Sequence, residues 1–124
     1  MEFALVLPII LVLVIGALDF GRLFYRKIVV TNAAREGAYY TITHAGDPDM
    51  TDADVKTGAT SAAEAEAQNS GVPTITVEFD PNSLWVTSTP VIITVKSPVP
   101  DLFILDLLAN AFSITELSSS VEMM

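Results

Sequence analysis

The sequence predicts an α+β fold: a long N-terminal hydrophobic α-helix that serves as a stalk, and a small head made of a second helix and a three- to four-stranded antiparallel β-sheet. Three observations predict it. Phe3 to Leu18 (FALVLPIILVLVIGAL) is an uninterrupted apolar run bracketed by Glu2 and Asp19. Helical spacing of apolar residues continues beyond that run, and after Pro73 the period changes to two. Finally, a mean hydropathy of +0.50 accompanies a net charge of −9 in 124 residues. Such a pairing implies two chemically different parts in one chain. Residues 1–43 hold four basic and three acidic side chains, net +1, whereas residues 44–124 hold two basic and twelve acidic ones, net −10. The expected division is therefore a long helix over 1–43 and an acidic globular head over 44–124.

Composition also excludes chemistry. With no cysteine there is no disulfide, zinc-thiolate centre, iron–sulfur cluster or thiol nucleophile. Six basic residues against fifteen acidic ones argue against nucleic acid, whose phosphates require clustered Lys and Arg. No nucleophile–base pair, metal-ligand cluster or cofactor motif suggests an enzyme, and the only histidine, His44, reads as a helix-end residue.

The apolar run rises about 24 Å as a helix, slightly short of a ~30 Å hydrocarbon core, and Phe20, Leu23, Phe24 and Tyr25 can extend it at the interface. A secretory signal carries positive charge before its apolar stretch and small residues after it. Here Glu2 precedes and Asp19-Phe20-Gly21-Arg22 follows, which favours a retained span. Phe20, Phe24, Ile28 and Thr31 keep helical spacing onward, with Arg22, Arg26, Lys27, Arg35 and Glu36 as polar positions. One helix from Glu2 to about Thr43 is the simplest account, and about half of it must protrude from a head of this size.

His44 to Asp49, with Gly46 and Pro48, ends that helix. Thr51 or Asp52 can cap a second helix, Asp54 completes a capping box, and Asn69-Ser70-Gly71 stops it. Its alanines suit close approach to Ala33, Ala34, Gly37 and Ala38 on the first helix. Strands are expected at Thr74–Asp80, Leu84–Ser88 and Val91–Lys96, with a weaker candidate within Ser113–Met123. Leu102–Phe112 is a second apolar segment, too short to cross a membrane; it either plugs the head or packs on a neighbouring subunit.

Glu2-Phe3-Ala4-Leu5-Val6-Leu7-Pro8, the apolar run, Asp19-Phe20-Gly21-Arg22-Leu23-Phe24-Tyr25 and Thr31-Asn32-Ala33-Ala34-Arg35-Glu36-Gly37-Ala38 together resemble the TadE-like pilin family of bacteria. The resemblance covers roughly the first forty residues. It implies a precursor in the cytoplasmic membrane, trimmed by a prepilin peptidase and polymerised with its own copies into an extracellular type IV/Tad-like pilus by an assembly ATPase and an inner-membrane platform. Pilins of this broad type commonly place the glutamate fifth in the mature chain, after a cleavage glycine. Here Glu2 is second, so either the sequence begins inside the usual mature end or processing differs. Arg22, Arg26 and Lys27 after the span would by themselves hold the head in the cytoplasm, an assignment that a basic leader would reverse.

On this reading the subunit contacts fall at Glu2, Phe3, Pro8, Ala17, Asp19, Phe20, Gly21, Arg22, Phe24, Tyr25 and Arg26. Glu2 can pair with the terminal ammonium of a neighbour, or act as an interfacial acid at the helix N-terminus. Pro8 removes a donor and is expected to bend or stretch the helix. Asp19 and Arg22 are placed for a local ion pair or for setting register between subunits, and Ala17 and Gly21 form a small-xxx-small pair. Asp47, Asp49, Asp52 and Asp54 form the densest acidic cluster, but their spacing fails the EF-hand pattern, leaving caps and loop or a nonstandard calcium loop.

Overall fold

The computed structural model describes residues 2–80, 91–99 and 116–123. The expected strand at Leu84–Ser88 and the apolar segment Leu102–Phe112 lie outside them. The fold is α+β, in the order α1 (Glu2–His44), α2 (Asp52–Asn69), β1 (Thr76–Phe79), β2 (Val91–Pro98) and β3 (Glu116–Met123). Helix α1 is 43 residues long, about 65 Å, and runs unbroken through Pro8.

The upper part of α1 is buried in adjacent pairs a turn apart: Val29 and Val30, Ala33 and Ala34, Gly37 and Ala38, then Thr41. A single stripe would cover one neighbour; this doubled one covers two. One flank packs on α2, which returns antiparallel to α1, and the other on the sheet. The expected small-residue seam is present: a Cβ at Gly37 would stand 3.2 Å from the Ala59 carbonyl oxygen and 3.4 Å from the Ala63 Cβ. Phe20, Phe24 and Ile28, which mark the helical period, remain exposed instead, because they lie on another face of α1 from the buried stripe. Thr41 is buried without cost to hydrogen bonding, since its hydroxyl donates to the Gly37 carbonyl at 3.0 Å.

The sheet is antiparallel in the order β1-β2-β3. Val77 pairs with Val95 and Phe79 with Ile93, and Ile93 and Val95 in turn face Val121 and Ser119. Alternation therefore turns Val77, Phe79, Ile93, Val95 and Val121 onto α1, and leaves Thr76, Glu78, Ser118, Ser120 and Glu122 outside. Central β2 is the most deeply buried strand. The sequence places β1 and β2 within about two residues of their true ends and finds β3 inside its broader candidate segment. On the outer face Lys96 bridges Glu78 at 2.7 Å, which raises the Lys96 ammonium above its ordinary value.

Helix α2 begins in a capping box. The Thr51 hydroxyl accepts from the Asp54 N–H and donates to the Asp54 carboxylate at 2.6 Å, while that carboxylate also accepts from the Thr51 N–H at 3.0 Å. These bonds, the hydroxyl one foremost, hold the Asp54 carboxyl below its ordinary 3.8. The folded state binds this proton more weakly than the unfolded one, so the box is complete above that value and is lost as pH falls through the depressed one. Thr51→Ala is expected to cost about 1 kcal/mol in thermal unfolding. In a pH series, Asp54→Asn should flatten the part of the acid-induced loss that begins below 3.8; an unchanged profile would contradict the assignment.

Asp47 has a structural role too. Asp47 accepts from the Asp49 N–H at 3.1 Å in a tight turn that follows Gly46, whose φ of 89° is a left-handed position. Among the described residues no group of three or more acidic or histidine side chains is arranged to hold a metal ion. His44 ends α1, its ring stacked on Tyr40 at 4.1 Å and its Nδ1 2.9 Å from the Tyr40 carbonyl.

Candidate assembly rod and neck

Below the head α1 changes character. Val6, Leu7, Ile9 to Val14 and Leu18 are all exposed, the least of them 48% and the most 68%, and Phe3 reaches 91%. This is the one helix among the described residues long and apolar enough to cross a membrane. Its apolarity follows from composition: Leu, Ile and Val occupy successive positions right round the helix, so every face is greasy. Pro8 and Ala17 lie within this rod, both exposed.

Asp19 departs from its surroundings. It is fully buried, while Leu18 and Phe20 on either side are 62% and 66% exposed. Ile15, Gly16 and Leu23, on the same helical face, are half-buried. The chain thus withdraws the acid at the upper edge of its apolar run from the surface that a membrane or a neighbour would meet. Arg22 and Gly21 are exposed. Phe20 and Phe24, a turn apart, stack with ring centres 6.4 Å from each other.

The next turn ties the rod to the head. The Tyr25 hydroxyl donates to the Ser70 carbonyl at the end of α2 at 3.0 Å, and the Arg26 guanidinium to the Pro98 carbonyl at the end of β2 at 2.9 Å. The Lys27 ammonium donates to the Ser118 carbonyl of β3, and the Thr31 hydroxyl meets that of Ser119 at 3.1 Å. Three consecutive side chains thereby hold three separate elements of the head's lower rim. Tyr25 and Arg26 stand in the sequence as contacts between subunits; the structure brings them to their own head. Lys27 and Thr31 escape sequence reasoning because their partners lie 91 and 88 residues away, and for Lys27 the partner is a backbone carbonyl that any residue could supply. The only local signal is a Tyr-Arg-Lys triplet at the foot of a buried stripe.

The rod and neck together present an apolar cylinder that ends in aromatic rings and cations, with the head fixed above it. Such a surface can enter lipid or a bundle of like helices. Glu2 is the first residue of α1. No curated protein and no solved structure gives a significant match to the chain. A family model described as TadE-like protein does match, over residues 1–38, so the stretch that carries the rod, the neck and the start of the α1–α2 seam is similar to that family.

Proposed function

We propose that this chain is the principal structural subunit of a Tad-like pilus, held in the inner membrane by its rod before assembly and displayed on the cell surface afterwards. The supporting observation is the bare apolar rod on a helix whose upper half packs one side against its own head. In water such a surface would be covered by like surfaces at once. Moving from lipid to a helical bundle exchanges one apolar surrounding for another, so burial at ~25 cal/mol per Å² does not drive that transfer. Work must come from outside, and the sequence holds no phosphate-binding P-loop. An assembly ATPase and a membrane platform supply it, a prepilin peptidase prepares the subunit, and Glu2 then neutralises the terminal ammonium of a neighbour. The role is structural rather than catalytic.

Fibres sheared from cells, imaged by electron microscopy and analysed by mass spectrometry of the dominant band, test this reading. The band is expected to be this chain. A different dominant protein, with this chain at trace level, would make it a minor pseudopilin. Material that stays dispersed in the membrane throughout would leave only an anchored binding module.

A further inference from the structure

The neck carries three of the six basic residues of the chain, Arg22, Arg26 and Lys27, within about 7.5 Å of helix axis. Phe3 to Gly21 rises about 28 Å, close to the ~30 Å of a hydrocarbon core, so with the rod in a bilayer these cations enter at the depth where the headgroup layer begins. Arg22 and Arg26 share a face, and Lys27 stands roughly 100° further round, so the positive charge wraps a large part of the helix. Phe20, Phe24 and Tyr25, each more than half exposed, surround the same level with aromatic rings, the side chains that favour a membrane interface.

We infer that the neck is a binding collar for anionic phospholipid, which seats the head on the headgroup layer before the subunit leaves the membrane. Charge complementarity carries the choice of partner. Residues 44–124, net −10, would be repelled by an anionic leaflet. The collar lies between that head and the leaflet and offsets the repulsion where it is strongest. Its geometry also fixes how the head sits. Arg26 and Lys27 each spend one donor on the head's lower rim, at Pro98 and Ser118, and retain further N–H groups for lipid phosphate. A lipid bound at this level therefore touches the groups that orient the head, and extraction of the subunit must break these contacts. The inference rests on the rod entering lipid and not on polymerisation.

Native mass spectrometry of the full chain in non-ionic detergent, with phosphatidylglycerol or phosphatidylcholine of the same acyl chains at equal mole fraction, tests it. Retention of phosphatidylglycerol should exceed that of phosphatidylcholine at least fivefold. Arg22→Gln with Lys27→Gln should bring the two lipids to parity, whereas Arg22→Lys with Lys27→Arg should keep the preference. Arg22→Gln alone leaves the Lys27 contact with Ser118 in place and should still reduce the excess; an unchanged midpoint of thermal unfolding in the same detergent then separates lipid binding from damage to the head. Equal retention of both lipids by the unaltered chain, or an excess that survives removal of both charges, would overturn the inference. Fibres that lack this chain, with the lipid preference intact, would instead count against the pilus reading alone.

Discussion

Gly37→Leu is expected to destabilise the head by about 3 kcal/mol, the upper part of the range for overpacking a filled interior. In thermal unfolding of the full chain in detergent, followed by circular dichroism, that corresponds to a fall of roughly 12 to 24 °C for a unit of this size. The argument is steric. A Cβ at this position would already lie 3.2 Å from the Ala59 carbonyl oxygen, and that atom belongs to helix backbone that cannot rotate aside. The Ala63 Cβ is 3.4 Å away and the Ile93 Cδ1 3.9 Å, so α2 blocks one direction and β2 another. Three further carbons have nowhere to go except by separating α1 from α2.

Gly37→Ala tests the same contact against an opposing effect. Alanine in a helix interior is favoured over glycine by about 1 kcal/mol, and the close oxygen must cost more than that for the variant to be the weaker. A fall of a few degrees is expected; a rise would mean that the helices can part by a few tenths of an ångström without penalty. Gly58 behaves differently. There the crowding atoms are the far end of the Tyr40 ring, and a ring can swing where a backbone carbonyl cannot.

The seam shows how far the sequence reaches. Alanine and glycine at helical spacing in both helices suit close approach, so Ala33, Ala34, Gly37 and Ala38 mark the face that meets α2. The capping box at Thr51 and Asp54 is equally legible, because its donors and acceptors are three residues apart. The strand period, visible in Ile75, Val77 and Phe79, gives β1 its inward face. What stays hidden depends on distance along the chain. That Tyr25, Arg26 and Lys27 would each take a different carbonyl of the head follows from where three remote elements end. Asp19 illustrates the same limit. Its place at the edge of an apolar run, three residues before Arg22, suggests a local ion pair or a contact that sets register between subunits; its complete burial is not legible there.

Leu13→Asp should leave the chain in the membrane and remove its fibres. Leu13 is 68% exposed near the middle of the rod, the position at which a carboxylate meets the least water. On an insertion scale an aspartate there costs about 2.5 to 3.5 kcal/mol, and Leu, Ile and Val contribute about −0.3 to −0.6 kcal/mol each. Nine such residues remain between Val6 and Leu18, together roughly −3 to −5 kcal/mol, so insertion is weakened but not abolished. A fibre has no such reserve. Every added subunit would bring another carboxylate into a shared apolar core, where the charges repel and none can reach water by a small shift of one helix. Leu13→Met, with nearly the same volume, should form fibres at normal number, because the core requires apolar bulk there rather than one shape. Counting fibres and measuring membrane-bound subunit separately distinguishes the two effects. Fibres at unaltered number from Leu13→Asp would mean that this face of the rod does not meet a neighbour. Subunit missing from the membrane altogether would mean that the remaining apolar residues do not outweigh one charge, against the insertion arithmetic.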